Sequence, residues 1–208
     1  GNAYLAFAQA MENQQLMTIE QLEQILLDYR CENNFTASDM DALKSDDVDS
    51  ILPLFLPVDS EAYYGIAGTA VRTLMRLVDT GLYPDKAYIM QKTEDENGAL
   101  QKVEGEKGFV SALGGKGNAL QFTASVFGQE KFASVDEDAL DAIGELLNCI
   151  NGLYVSECKD GSSLELMPPS FKTGIQGFES RKMLVLPIHI KNDCVDLMIA
   201  IGDEIEMK

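Results

Sequence analysis

The chain has 208 residues and carries 16 Lys and Arg against 34 Asp and Glu, which gives a formal net charge of −18. Such an acidic chain disfavours nucleic acid or an anionic membrane as a partner, because their phosphates attract basic surfaces. Hydrophobic residues make up 46% of the chain and charged residues 24%, which is typical of a folded globular protein. No apolar run approaches the roughly 20 residues that a membrane-spanning helix needs.

The four cysteines, Cys31, Cys149, Cys158 and Cys194, form no CxxC pair, and the single histidine, His189, has no evident metal-binding companions. The sequence therefore predicts neither a metal site nor a cofactor site in this chain. Scattered single cysteines without a signal-peptide pattern predict reduced thiols in a cytoplasmic protein.

Residues 1–57 are predicted to form a helical N-terminal segment. Thr18 and Gln21 have the spacing of a capping box, and apolar residues follow at helical spacing. Pro53 and Pro57 then interrupt the chain. We therefore predict a boundary here, with a second domain over residues 58–208.

The second domain alternates between helical and strand patterns. The predicted helices, in chain order, span residues 60–78, 125–131 and 135–155. The predicted strands span residues 87–92, 109–113, 120–124, 164–167, 183–190 and 194–201. A glycine-rich hairpin turn at 114–118 is expected to join the second strand to the third. This order predicts an α+β domain in which long helices pack on an antiparallel β-sheet.

One short pattern occurs twice along this domain. Glu145 is followed three residues later by Asn148, and Glu61 is followed at the same spacing by Tyr64. Ile, Gly and Val recur at matching offsets after each pair, at Ile150, Gly152 and Val155 and at Ile66, Gly68 and Val71. Both copies are predicted to be helical, which indicates a pseudo-duplicated domain.

The predicted helix 135–155 has apolar rows over most of its circumference and one narrow polar strip, formed by Asp141, Glu145, Asn148 and Gly152. Because residues three and four apart are neighbours on a helix, the Glu145 carboxylate and the Asn148 amide are displayed side by side. Gly152 leaves room beside the amide or allows close helix packing. An ordinary solvated helix face would also explain the strip, so the residues alone establish only a displayed acid and amide.

Residues 142–152 resemble the signature helix of chemotaxis phosphatases of the CheX and CheC type. Residues 164–174, which include Pro168 and Pro169, look like the strand–proline–glycine segment that follows this helix in CheX. The resemblance extends from about residue 59 to the C-terminus and leaves the N-terminal helical segment outside. It implies a CheC/CheX-like pseudo-duplicated domain.

The resemblance also implies a function, the dephosphorylation of an aspartyl phosphate on a CheY-like response regulator in chemotaxis or two-component signalling. Asn148 would orient the attacking water, and Glu145 would pair with a lysine of the receiver domain. Magnesium is expected on the receiver partner. Because Tyr64 supplies no amide, the chain has one such pair, as CheX-type members do.

CheX-type proteins dimerise by strand pairing, so the resemblance implies a homodimer as well. A non-catalytic alternative stays open, in which the domain is a CheX-like binding or dimerisation module that docks a receiver domain. The N-terminal helices favour this alternative, since an added segment often serves a different partner.

Overall fold

A computed structural model describes residues 18–45, 47–57, 59–158 and 163–208. The first 17 residues of the predicted helical segment lie outside these ranges. Contacts within the chain define two compact units, divided between Phe55 and Leu56, and each unit is described separately. In the described part of the chain, no helix combines the length and the apolar character that a membrane crossing requires.

The N-terminal unit is helical, as predicted. It contains α1 (Ile19–Glu32), α2 (Ala37–Lys44), α3 (Val48–Ile51) and a 3-10 turn (Leu52–Leu54). The Thr18 hydroxyl accepts a hydrogen bond from the Gln21 N–H, and the Gln21 side chain accepts one from the Thr18 N–H, so the predicted capping box is present. A small core of its own holds the unit together, built from Phe35, Met40, Leu43, Ile51 and Phe55.

The second unit combines three helices with an antiparallel sheet. Its helices are α4 (Glu61–Leu77), α5 (Asn118–Gly128) and α6 (Glu137–Glu157). Its strands are β1 (Tyr83–Pro84), β2 (Tyr88–Lys92), β3 (Asn97–Glu104), β4 (Phe109–Gly115), β5 (Glu165–Leu166), β6 (Ser170–Thr173), β7 (Phe178–Ile190), β8 (Asp193–Ile201) and β9 (Glu206–Met207). The predicted α+β class is confirmed.

The strand order of the sheet is β1-β7-β8-β4-β3-β5, with β2 and β9 also paired to β7 and β6 paired to β3. Neighbouring strands run antiparallel. Both α4 and α6 pack on the sheet and against each other. Because the two repeated patterns begin at Glu61 and Glu145, both copies lie on helices, as predicted.

The register of the central strands decides which side chains face the helices. Gln101 of β3 lies opposite Ser111 of β4, and Ser111 lies opposite Ile199 of β8. Directly opposed residues project from the same face of a sheet. A cluster of apolar side chains that includes Val110, Met183 and Met198 covers the opposite face. Gln101 and Ser111 thus interrupt an otherwise apolar, helix-facing surface.

The prediction of a strand over residues 120–124 and a separate helix over 125–131 is wrong. Residues 118–128 form the single helix α5, and Gly114 and Gly115 end strand β4 instead of belonging to a hairpin turn. The side chain of Asp193, the first residue of β8, accepts a hydrogen bond from the Ala119 N–H at 2.8 Å. This tertiary contact satisfies a free N–H at the helix start and is invisible to a local pattern.

The sequence analysis also missed strand β3. Its hairpin with β4 turns through residues 105–108, where Gly105 has φ of 143°, a conformation that favours glycine. The strand carries Gln101, Lys102 and Glu104, whose polarity hides the period-two pattern. Gln101 is nevertheless buried, because helix α6 covers it with polar partners of its own.

Candidate functional site

Helix α6 presents the predicted acid and amide. It starts at a conventional cap, where the Asp136 side chain accepts a hydrogen bond from the Ala139 N–H at 2.9 Å. Its buried face consists mainly of apolar side chains, including Leu140, Ile143 and Leu147, each 0% exposed. This apolar face fixes the rotation of the helix on the sheet, and so determines which residues remain accessible.

The polar strip lies at the edge of the accessible side of α6. Asp141 and Glu145 are exposed, whereas Asn148 and Gly152 are half-buried. In the described part of the chain, no basic side chain forms an ion pair with Glu145. Its carboxylate is therefore available to a cation supplied from outside.

The Asn148 amide is held from below by the sheet. Gln101 Nε2 donates a hydrogen bond to Asn148 Oδ1 at 2.7 Å, and the same nitrogen donates to the Met167 carbonyl oxygen at 2.8 Å. No described residue accepts a hydrogen bond from Asn148 Nδ2. One end of the Asn148 carboxamide is thus bound to the protein, while its two N–H donors remain available.

Beneath this contact lies a closed group of polar side chains. Asn151 Nδ2 donates to Gln101 Oε1 at 2.8 Å and to Ser111 Oγ at 2.9 Å, and Ser111 Oγ donates to Asn151 Oδ1 at 3.1 Å. Gln101 and Asn151 are 0% exposed and Ser111 is 1% exposed. We call Gln101, Ser111 and Asn151 the buried amide network.

Sequence reasoning missed this network. Ser111 lies inside the apolar run 109–113, and Asn151 falls on the buried side of α6 next to Ile150, so each is a polar residue at a core position. A polar residue at a position that the pattern assigns to the core is a signal from which both residues could have been identified. Gln101 gave no such signal, because its strand was not recognised.

The segment after α6 forms a rim beside the polar strip. Strands β5 and β6 pair with β3, and the Met167 N–H donates to the Lys102 carbonyl at 2.9 Å. A side-chain carbon added at Gly144 would lie 3.3 Å from Pro169 Cβ, so this glycine permits close packing of the proline segment. At Gly152 the nearest atom would be 3.9 Å away, an ordinary contact, so close packing does not require that glycine.

The first copy of the pattern lacks these features. Glu61 is exposed on α4, and half-buried Tyr64, which has no carboxamide, takes the place that Asn148 has on α6. Where α4 packs on β8, the helix-facing residues Leu197 and Ile199 are apolar and buried. The structure therefore pairs an acid with an amide at α6 and not at α4.

A second buried polar cluster lies near the start of β3. Burial raises the pKa of both Asp95 and Asp196, and that of Asp196 rises to about 7, with a further contribution from the negative charge of Asp95. Lys116 is close enough to oppose part of this effect. Because two neighbouring carboxylates repel each other, the pair retains one proton over much of the acidic pH range.

Two surface grooves, one lined by residues such as Lys92 and Arg181 and the other by residues such as Phe109 and Tyr154, include neither site residue. Within the described ranges, no group of three or more His, Cys, Asp or Glu residues is placed to hold a metal ion.

Comparison with known proteins finds a matching family. The family model for the chemotaxis phosphatase CheX matches residues 98–189, which include β3, β4, α6 and most of β7. The predicted resemblance to CheX-type chemotaxis phosphatases is therefore confirmed over this region, which contains Glu145, Asn148 and the buried amide network. No curated protein sequence matches the chain.

Solved structures show the same fold. CheX from Vibrio vulnificus matches with a TM-score of 0.58 and 14% identity, over 69% of this chain and 100% of its own. A CheC-like superfamily protein from Shewanella sp. PV-4 matches with a TM-score of 0.57 and 15% identity, over 70% of this chain and 99% of its own. CheX in a CheX–CheY–BeF3–Mg complex from Borrelia burgdorferi matches with a TM-score of 0.52 and 16% identity, over 68% of this chain and 97% of its own.

These structures confirm the predicted CheC/CheX-like fold. They are matched almost from end to end, while close to a third of this chain has no counterpart in them.

Proposed function

We propose that this chain is a CheX-like phosphatase that removes the aspartyl phosphate of a CheY-like response regulator in the cytoplasm. One observation carries the proposal. Exposed Glu145 and half-buried Asn148 lie on one face of α6, and the Asn148 amide has its oxygen bound to Gln101 and its two N–H groups available. The CheX family match includes this helix, and one solved relative is a complex with CheY.

The chemistry of an acyl phosphate suits so small a site. The phosphoryl group is already activated, so a phosphatase needs only to position water and stabilise charge on the phosphoryl oxygens. A carboxamide accepts a hydrogen bond from water through its oxygen and donates to phosphoryl oxygens through its nitrogen. Because the amide is neutral, it does not repel the phosphoryl group as a carboxylate would.

In this mechanism Asn148 aligns a water molecule for in-line attack on the receiver's phosphoryl group. The oxygen of Asn148 has two lone pairs, and Gln101 uses one, so the other can accept from water. Glu145 pairs with a lysine of the receiver and fixes the docked orientation. A Mg²⁺ ion held by the receiver would neutralise charge on the phosphoryl oxygens, and we expect this chain to need no cofactor of its own.

The test measures phosphate release from a phosphorylated receiver domain of the same organism. Wild-type protein should accelerate release, and Asn148→Ala should abolish the acceleration while it still binds the receiver. Tyr64→Ala, at the matched position of the first copy, should leave the acceleration intact. Acceleration that survives Asn148→Ala would contradict the mechanism.

A second candidate is a non-catalytic module that docks or dimerises signalling proteins. The observation that favours it is the N-terminal helical unit, which has its own apolar core around Phe35 and lies outside the matched region 98–189. Receiver binding by the wild-type protein without any change in phosphate release would support this candidate over the phosphatase.

We further propose that the chain forms a homodimer by strand pairing at β2. Among the described strands, β2 pairs only with β7, and it exposes Tyr88, Ile89 and Met90 by 40%, 40% and 47%. An unpaired edge with apolar side chains favours addition of another strand. Sedimentation analysis should show a dimer that Ile89→Lys converts to monomer, because a charged side chain on an edge strand opposes the addition of another strand; a monomeric wild-type protein would contradict this proposal.

A further inference from the structure

We infer that Gln101 is a positioning residue that determines which way the Asn148 amide points. The inference rests on the proposed phosphatase function and adds to it a residue from a different element, strand β3. Gln101 lies 47 positions before Asn148 in the chain and reaches it across the helix–sheet interface. It does not reach the accessible surface, since it is 0% exposed.

The Met167 carbonyl oxygen supplies the fixed reference for this orientation. A backbone carbonyl can only accept hydrogen bonds, so the group that contacts it at 2.8 Å must be the NH2 end of the Gln101 amide. The same NH2 end contacts Asn148 at 2.7 Å. The atom of Asn148 at this contact must therefore be its oxygen.

The far end of Gln101 is fixed independently. Its Oε1 accepts from Asn151 Nδ2 at 2.8 Å, and Asn151 in turn exchanges hydrogen bonds with Ser111. A flip of Gln101 would place its oxygen against the Met167 oxygen and its NH2 against the NH2 of Asn151. Both contacts would be buried and repulsive, so the network admits one orientation of Gln101.

The orientation of the Gln101 amide in turn determines the orientation of the Asn148 amide. If the Asn148 amide flipped, its NH2 would face the NH2 of Gln101 and a buried hydrogen bond would be lost. In the observed orientation the N–H donors of Asn148 lie away from the network. These donors are then placed for the phosphoryl oxygens of a docked receiver before the receiver arrives.

Preorganisation of this kind acts on the rate of the chemical step. A catalytic donor that is already aimed does not have to reorient when charge develops in the transition state. Binding of the receiver depends instead on the wider surface around Glu145. Loss of Gln101 should therefore lower the rate at saturating receiver and leave the half-saturating concentration unchanged.

The main test compares Gln101→Met with Ser111→Ala. The first removes the amide that touches Asn148, at similar volume, whereas the second alters the network at its far end and leaves Gln101 bonded to Met167 and Asn148. We expect Gln101→Met to lower the saturated rate of phosphate release by roughly tenfold or more. Ser111→Ala should remain near wild type.

A purely structural role would give a different result. If Gln101 contributes only to stability, the saturated rate of folded Gln101→Met will equal that of the wild type, or Ser111→Ala will lose as much rate; either result overturns the inference.

An NMR measurement separates this inference from the proposed function. The side-chain NH2 of Asn148 should be ordered in the wild type and mobile in Gln101→Met, while Ser111→Ala stays ordered. Equal mobility in wild type and Gln101→Met overturns the inference, whatever the activity. If wild type does not accelerate phosphate release, the phosphatase proposal fails and this result alone decides the role of Gln101.

Folding of the variants is checked by circular dichroism, and Gln101→Glu provides a second variant of the same size. Its carboxyl group can donate at most one hydrogen bond and cannot serve both Met167 and Asn148. We expect the same loss of saturated rate and the same mobile Asn148 amide. If neither variant folds, the wild-type NMR spectrum still decides, because a mobile Asn148 amide there overturns the inference.

Discussion

Helices α4 and α6 carry two copies of one short pattern and pack on the same sheet, but the sheet residues that face them differ in polarity. Helix α4 packs on β8, whose helix-facing residues Leu197 and Ile199 are buried and apolar. Under α6 the sheet presents Gln101 and Ser111, which bind Asn148 and Asn151. The apolar contact can anchor a helix, whereas the polar contact can also orient a side chain at the surface.

This difference explains why the acid alone does not define a site. Glu61 and Glu145 occupy equivalent positions and are both exposed. What distinguishes α6 is an amide three residues after the acid and a second amide in the sheet that binds it. We therefore regard the functional unit as Asn148 together with Gln101, and Glu145 as the docking residue beside it.

The largest expected effect comes from an attempt to move the site to the first copy. In Asn148→Ala combined with Tyr64→Asn, the acid–amide spacing is recreated on α4 without a buried amide beneath it. We expect phosphate release to remain at the spontaneous rate of the receiver, since a freely rotating amide is not preorganised. Recovery of more than roughly a tenth of the wild-type acceleration would show that spacing alone suffices.

The next effect concerns docking. Glu145→Lys should weaken binding of the receiver by roughly tenfold, because a like charge replaces an attractive one, and should leave the saturated rate nearly unchanged. Glu61→Lys is the matched control and should alter neither quantity. Titration of phosphate release against receiver concentration measures both, and an equal loss of affinity in the two variants would contradict the assignment of α6.

A smaller effect is expected on stability. Asn151→Leu leaves Gln101 Oε1 and Ser111 without their buried partner. We expect the free energy of unfolding to fall by about 1–3 kcal/mol, which lowers the melting temperature by a few degrees. Thr73→Val, a buried polar-to-apolar change on α4, is the comparison. A larger loss at Thr73 would contradict the importance assigned to the network.

The smallest effect on activity is expected at the buried acids, which we expect to titrate without influencing the neutral amides of the site. Because the pKa of Asp196 is raised to about 7, the folded protein retains a proton that the unfolded chain loses near pH 4, so stability falls as the pH rises between about 4 and 7. Asp196→Asn should melt at a higher temperature than wild type above pH 7 and lose this part of the pH dependence.

Exposed Glu96→Gln controls for the removal of an acid from this neighbourhood and should leave the pH dependence unchanged. The saturated rate of phosphate release should be the same in Asp196→Asn as in wild type, because Asp196 makes no contact with Asn148. A rate that follows the titration of Asp196 would show that the two buried clusters are coupled.

Much of the fold could be predicted because its signals are local. The apolar rows of α4 and α6 and the apolar runs of β7 and β8 identify these elements within a few residues. The capping residues Thr18 and Gln21 likewise act within one helical turn. Burial and periodicity agree in these segments, so the pattern predicts the element.

The errors lie where tertiary contacts override the local pattern. Helix α5 starts at an N–H bound by Asp193, which is 74 positions away. Strand β3 buries Gln101, a residue that local pattern assigns to the surface, because its partners come from α6 and the β5–β6 segment. Gln101, the sheet residue that contacts Asn148, therefore lies in the strand that was not predicted from the sequence.

The central claim is that the Glu145–Asn148 face of α6 contacts the phosphorylation site of a receiver. Its most direct measurement is a crystal structure of this protein with a receiver domain loaded with beryllofluoride and Mg²⁺. We expect Asn148 Nδ2 within hydrogen-bond distance of the beryllofluoride, Asn148 Oδ1 still bound to Gln101, and Glu145 beside a receiver lysine. A receiver bound at α4 or β2, with Asn148 open to solvent, would contradict the account.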